Sequence, residues 1–375
     1  MMDSNSRYDL NIAGHIVKTP LALASMAGIT DASYALLRQD NIGIAFIGGY
    51  STDEPTMNAG IKMEEEGRHE FRYEDPISEL KAGVSKFKDS DVVLGLNLRG
   101  TTPKSFLNIF SAIGSGVVYE IDAHCRQEAM VNAGAGEYLL THTDILADII
   151  RALSDAGATV SVKIRAGVAD DDSELSKIIW KAGASIIHVD LMDFGHEKLK
   201  QIRNACPLLI IANNSMNTFE RVKDMFAHGA DMVSLARNSD NDTLKSLRLS
   251  VEAYADSSGW YNSPKQLCRG GDLRSLAFCC MPVKQCALIP ALKRVGMSPK
   301  EFNDLKLELV KDTALASGDS TCFGSLAFCC KSSTPCMFRD MSLKRAGLSH
   351  SEYMQLKHNL SKEIMKKIFE EKNEA

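Results

Sequence analysis

Short apolar runs recur along the first two-thirds of the chain, each followed by an amphipathic stretch. Eight runs stand out, at residues 21–24, 44–47, 92–98, 117–122, 160–164, 186–191, 208–212 and 232–235. Most are unbroken rather than alternating, the pattern of parallel strands buried on both faces. Segments between them, such as 173–182 and 218–228, carry apolar residues at helical spacing. Residues 9–17 alternate and place Ala13-Gly14 at a turn, which predicts a small hairpin. Eight strand–helix units over about 240 residues match an α/β fold of the (β/α)8 TIM barrel type in count and length. A doubly wound open sheet has the same periodicity and remains the alternative. The connection 51–91 is long, charged and partly helical, and is expected to lie over the barrel mouth.

The strand–helix pattern stops at Asp256-Ser-Ser-Gly-Trp-Tyr-Asn-Ser-Pro264, a turn-rich stretch, so the predicted domains are 1–256 and 257–375. The second is an internal repeat. Ser275-Leu-Ala-Phe-Cys-Cys280 recurs as Ser325-Leu-Ala-Phe-Cys-Cys330, and further cysteines follow at Cys286 and Cys336. Each copy then has a Leu-Lys-Arg-x-Gly turn, ending at Gly296 and Gly347. Each next starts a helix with a capping box, Ser298 with Glu301 and Ser349 with Glu352, and a hydrophobic staple, Met297 with Phe302 and Leu348 with Tyr353. One small, mostly helical unit is used twice.

Composition adds an asymmetry. From Tyr261 onward there are 18 Lys+Arg against 12 Asp+Glu, while the remainder has 25 against 36, within a net charge of −5. An acidic body and a basic tail suggest two jobs, the tail having either a solvated helical surface or a nucleic-acid footprint. Hydrophobic content of 45% and charged content of 24% exclude wholesale disorder. No apolar run is long enough for a bilayer and the first residues do not resemble a secretory signal, so a cytoplasmic location is expected. Eight of the ten cysteines follow residue 267. In a reducing compartment such clusters read as metal ligands before disulfides.

Candidate chemistry sits at the ends of the predicted strands, where parallel α/β folds place their sites. Cys125 lies just past the fourth run and can act as proton donor or nucleophile, or be a small buried hydrophobe. Ser25, Met26 and Ala27 form a small-residue turn after the first run, which lets backbone approach a flat ring. Asn97 offers an amide that donates and accepts. Lys163 and Arg165 end the fifth run, suited to an anion or to a rim salt bridge. His188 lies inside an apolar strand. Asn213 and Asn214, with Ala236 and Arg237, end the seventh and eighth runs, where barrels often hold a phosphate on backbone amides.

In this order along the chain, those residues resemble the tRNA-dihydrouridine synthases, FMN enzymes related to dihydroorotate and dihydropyrimidine dehydrogenases. The resemblance runs from about Pro20 to Arg237. Ala24-Ser-Met-Ala-Gly-Ile-Thr-Asp31 stands for the family's Ala-Pro-Met-x-Gly-x-Thr-Asp flavin turn, and Glu120-Ile-Asp-Ala-His-Cys125 for its Asp-Ile-Asn-x-Gly-Cys. The resemblance implies that Cys125 is the catalytic proton donor and that Asn97, Lys163 and His188 contact FMN. It also places Asn213, Asn214, Ala236 and Arg237 in the phosphate loops. The chain departs from the pattern at Ser25 (for Pro), His124 (for Gly), Arg126 (for Pro) and Asp190 (for Arg). Asn214 and Ala236 replace glycines. The implied reaction is reduction of an electron-poor C=C bond, with a small molecule or tRNA as substrate and a separate electron donor.

The doubled Phe-Cys-Cys…Cys motif resembles the cysteine-rich domain of the methanogenesis marker protein 9 family, some of whose members carry such a barrel in front. This implies a link to methanogenesis and a protein partner in that process. Each repeat offers four thiols: Cys268, Cys279, Cys280 and Cys286, then Cys322, Cys329, Cys330 and Cys336. Four thiolates complete one zinc site or one [4Fe–4S] cluster. Adjacent cysteines point apart in an extended chain, which favours an iron–sulfur cluster over zinc, or sharing between repeats. Three functions follow: a flavin reductase fed by its own iron–sulfur domain, a tRNA-dihydrouridine synthase with an added metal domain, or a metal-binding regulator or assembly factor without catalysis.

Overall fold

All eight apolar runs are strands in the computed structural model, which describes residues 8, 10–206, 208–258, 279, 288–316, 318, 321, 323–329 and 336–370. A hairpin precedes them, β1 (Asn11–Ile12) with β2 (His15–Ile16), turning through Ala13 and Gly14 in the left-handed region. The barrel strands are β3 (Leu21–Leu23), β4 (Ile44–Ser51), β5 (Val93–Arg99), β6 (Val118–Ala123), β7 (Thr159–Arg165), β8 (Ile186–Asp190), β9 (Leu209–Asn213) and β10 (Met232–Leu235). Each pairs in parallel with the next, and β10 closes on β3 through Val233 opposite Leu21. Closure removes the open-sheet alternative and leaves no strand edge.

The helices alternate with the strands: α1 (Ala32–Leu36), α2 (Glu54–Glu65), α3 (Pro76–Lys86), α4 (Pro103–Ile113), α5 (Glu128–Asn132), α6 (Tyr138–Thr141), α7 (Thr143–Asp155), α8 (Asp172–Lys181), α9 (His196–Ala205), α10 (Phe219–Ala227) and α11 (Asn241–Ser258). After Gly136 the chain forms two consecutive helices, α6 and α7. They part at His142, whose φ of −119° and ψ of 64° leave the helical region. Aspartates cap the first two helices: Asp31 accepts from the Tyr34 N–H and Asp53 from the Thr56 N–H. A bulge between Gly48 and Tyr50 interrupts the β4–β5 register. Gly48 has φ +112°, and a Cβ there would lie 2.5 Å from the Asn97 carbonyl, so the bulge requires glycine.

The barrel interior is polar at its centre. Asn97, Glu120 and Ser161 are register neighbours on β5, β6 and β7, and with His188 and Ser234 they are buried. The connection between β4 and β5 is helical in α2 and α3. Its Phe71 and Tyr73 rings lie tilted against Tyr50 at centroid distances of 4.9 and 5.8 Å.

The chain divides into two compact units, Met1–Met225 with Ala230–Leu249, and Phe226–Gly229 with Ser250–Ala375; the division falls inside α11. The second contains α12 (Leu288–Arg294), α13 (Pro299–Val310), α14 (Met337–Ala346) and α15 (His350–Glu370). The repeat is visible in its hydrogen bonds. Gly296 and Gly347 are both left-handed, and the residue after each donates back to Leu292 and Leu343, both at 3.0 Å. Both capping boxes form. Phe302 and Tyr353 occupy the shared core. Two buried lysines, Lys306 and Lys357, also correspond between copies. Lys306 donates to the Cys279 carbonyl and Lys357 to the Ala327 carbonyl, each within its own copy's Ser-Leu-Ala-Phe-Cys-Cys segment. Among the described residues no helix is long and apolar enough to cross a membrane.

Candidate active site

Cys125 sits on the turn after β6, at the C-terminal rim of the barrel. Asp122 accepts from the His124 N–H at 3.1 Å, and the Cys125 carbonyl accepts from the Glu137 N–H at 2.9 Å. Gly136, with φ +61°, makes the return possible: a Cβ there would stand 2.2 Å from the Cys125 carbonyl oxygen. The thiol packs among Ala59, Met63, Met130 and Ala135. Burial pushes its pKa up, although Arg99 draws it down, so the sulfur keeps its proton at neutral pH. The other buried thiol of the barrel unit, Cys206, is pushed up to about 11 by burial and lies away from the rim, donating to the Ile202 carbonyl.

Two predicted contacts meet at the first turn. The Lys163 ammonium, buried on β7, makes long contacts to Ser25, 3.3 Å to Oγ and 3.5 Å to the carbonyl. Met26 donates from its N–H to Thr30 Oγ1, and Ser25, Met26 and Ala27 are half-buried. The connection from β4 reaches this turn, because a Cβ on Gly28 would come within 2.7 Å of the His69 and Glu70 backbone.

Asn97 and His188 lie deeper, in one buried chain of hydrogen bonds. Glu120 accepts from Asn97 Nδ2 (2.9 Å) and from Ser161 Oγ (3.1 Å), and lies 2.8 Å from His188 Nδ1. His188 Nε2 is 2.7 Å from Ser234 Oγ, which accepts from Asn213 Nδ2 at 2.7 Å. Burial holds His188 neutral against the pull of Glu120. Burial would raise the Glu120 carboxyl, yet His188 and the other donors keep it low and ionised. Nδ1 therefore donates to Glu120, and Nε2 accepts from Ser234. Both ring nitrogens are spent within the barrel. The Asn97 Oδ1 atom is buried without a hydrogen-bond partner, an acceptor left open for a ligand donor.

The loops after β9 and β10 carry backbone that side-chain-bearing residues seldom adopt. Asn214 has φ +100°, Ser215 +57° and Asn238 +58°. Asn214 thus takes a glycine-like conformation, steadied by its Nδ2 bond to the Met192 carbonyl at 2.8 Å. Outliers of this kind collect at binding sites. Ala236 is half-buried and Arg237 exposed beside this loop.

Arg165 is a rim salt bridge, with Nε 2.6 Å from Glu137 and Nη1 3.9 Å from Asp190. The departures at His124 and Asp190 meet each other: His124 Nε2 lies 2.8 Å from Asp190 Oδ2. Sequence reasoning missed Ser234, hidden as one polar residue in an apolar strand, and the buried ion pairs of Arg99 with Asp122 (3.0 Å) and Glu70 (2.5 Å). Nothing near Glu70 in sequence marks it. Of the predicted metal ligands, Cys279 and Cys329 are buried and Cys336 half-buried. Cys268, Cys280, Cys286, Cys322 and Cys330 lie outside the described residues.

Residues 118–244 match the profile of the dihydrouridine synthase family. The uncharacterized protein MJ0115 of Methanocaldococcus jannaschii is 51% identical over 108 residues, which are 29% of this chain and 70% of that protein. The uncharacterized protein MJ0144 of the same organism is 26% identical over 227 residues, 58% of this chain and 88% of that one. Among solved structures, FabK from Thermotoga maritima aligns at 15% identity and a TM-score of 0.40, over 60% of this chain and 59% of that one. A point mutant of it aligns at 14% and 0.40, over 60% and 63%. The chain spans about three-fifths of the length of these structures.

Proposed function

For a chain that belongs to the family of the Methanocaldococcus jannaschii protein MJ0115 and matches dihydrouridine synthase over residues 118–244, we propose an FMN-dependent oxidoreductase that reduces a C=C bond with Cys125 as proton donor. The observation that carries this reading is a single thiol at the C-terminal rim of a closed barrel, kept protonated by burial. A general acid must hold its proton until the transition state. Several residues suit a flavin. Asn97 presents an unpartnered buried acceptor, Lys163 an ammonium whose hydrogen bonds to Ser25 are long, and the Asn214–Ser215 turn a glycine-like backbone on the phosphate side. Reduced FMN, when bound, supplies a hydride to one carbon of the double bond.

The chain's own residues do the rest. Cys125 gives its proton to the neighbouring carbon and keeps the S–H electron pair as thiolate. Lys163 and Asn97 fix the ring's edge, and the loops after β9 and β10 hold the phosphate tail. The Glu120–His188–Ser234–Asn213 chain keeps the barrel floor rigid beneath them.

The family match favours a second reading, tRNA as the substrate, in which case RNA from a deletion strain would lack dihydrouridine. The duplicated cysteines add an iron–sulfur or zinc centre as an electron-entry or structural domain. A connection to methanogenesis and a protein partner there belong to the same proposal. Anaerobic purification with a visible absorbance spectrum and flavin, iron and zinc assays on one sample tests all of this. A yellow-brown protein with bound flavin and iron is expected, and a colourless zinc protein without flavin would overturn the reductase reading.

A further inference from the structure

Arg99 stands at the end of β5 with its side chain buried. Its Nε donates to Asp122 on the neighbouring strand at 3.0 Å, and its Nη1 to Glu70 at 2.5 Å. Glu70 comes from the β4–β5 connection, and its side chain is 5% exposed. The guanidinium also lies against backbone, since a Cβ on Gly49 would come within 2.8 Å of its central carbon. Three contacts thus hold this cation in one place.

That place adjoins the turn that carries the thiol. Leu98 pairs with Ile121 in the β5–β6 register, so Arg99 neighbours Asp122, and Cys125 follows on the same turn. The apolar residues packed with Cys125 are Ala59 and Met63 of α2, Met130 of α5 and Ala135 of the return turn, and the Gln127 backbone N–H donates to the sulfur. The charges that act most on the sulfur are the Arg99 cation and the Asp122 and Glu70 carboxylates, and His124 and Arg126 flank it in sequence. Asp122 is fixed in its strand. Glu70 is delivered by a connection, and its second oxygen, Oε1, is buried without a hydrogen-bond partner.

We propose that Arg99 and Glu70 are positioning residues for Cys125: the guanidinium is preset to receive the thiolate left by proton transfer, and the connection-borne carboxylate offsets part of its charge. The inference rests on Cys125 being the proton donor. The S–H bond breaks, the proton goes to the substrate carbon, and the electron pair stays on sulfur beside Arg99. Preset charge of this kind needs no reorganisation at the moment of transfer. With Glu70 seated, two carboxylates answer one cation, and the thiol form prevails before the reaction.

The test is the pH dependence of Cys125 alkylation by iodoacetamide in the full chain, read by mass spectrometry on the peptide that carries it. It needs neither flavin nor substrate. Arg99→Gln is expected to slow alkylation about tenfold at neutral pH and move the midpoint up by about one unit, and Glu70→Gln to speed it about tenfold and move the midpoint down. A purely structural role would loosen the turn in both variants and raise both rates. Rates that move together, or midpoints that stay put, overturn the proposal. Glu70→Gln is isosteric and lies on a connection, so it carries the test if Arg99→Gln does not fold. Purified protein without flavin would count against the flavin reading alone, and an unmoved thiol against this one alone.

Discussion

His124, on the turn after β6, and Asp190, the last residue of β8, are joined by a 2.8 Å hydrogen bond. These are two of the positions at which the chain departs from the motifs it resembles, and the departures are physically coupled. An acid in place of an arginine supplies the partner for an imidazole in place of a glycine, next to Cys125. Asp190→Asn removes the charge from this bond and should free the turn. Faster alkylation of Cys125 at unchanged pH midpoint is the expected outcome, measured as above.

Acid should unfold the barrel through its buried carboxylates. Burial would raise Asp122 and Asp190, but Arg99 in one case and the His124 hydrogen bond in the other outweigh it, and each drops from 3.8 to about 2. A folded-state value below the unfolded one means stability fully present above about pH 4 and lost as pH falls towards 2. For Asp122 the loss is on the order of 2 kcal/mol. His188, held neutral by burial, adds a loss that begins as pH falls below its ordinary value of 6.5. Urea midpoints measured against pH should fall in both windows, and Asp122→Asn should flatten the more acidic one.

Ser234→Ala strands one buried group, the acceptor at His188 Nε2, while Asn213 Nδ2 keeps its 3.2 Å bond to the residue-234 carbonyl. Leaving such a group unpaired costs about 1–3 kcal/mol. A lower urea midpoint with unchanged slope is expected, with flavin content reduced in step.

Gly136→Ala places a Cβ against the Cys125 carbonyl, in a left-handed backbone that alanine resists. The turn must shift, so reductase activity should be lost while the melting temperature falls by only a few degrees, equivalent to about 1–3 kcal/mol.

In the second unit the buried lysines serve their own copies, Lys306 at Cys279 and Lys357 at Ala327. The proposed metal domain would then hold one centre per repeat. Replacing Cys329 and Cys336 by serine should therefore halve the metal per chain, as measured by elemental analysis. Complete loss would indicate a single centre shared by both repeats.

What the sequence determined by itself is the local grammar. Continuous apolar runs gave seven of the eight strands to within a residue at each end, because a strand buried on both faces admits little else, while β4 runs four residues past its apolar run to Ser51. Small residues and Asp31 marked the first turn, and duplicated serines, glutamates and glycines marked both helix starts of the repeat. Only the tertiary structure decided closure, since the pairing of Val233 with Leu21 joins chain positions that periodicity cannot relate. It also decided what each polar residue meets: that Asn97 and His188 share Glu120, that His124 finds Asp190, and that Glu70 reaches Arg99 across 29 residues of sequence. A side chain's charge and hydrogen bonds depend on distance in space, and a closed barrel brings remote strands within a few ångströms of one another.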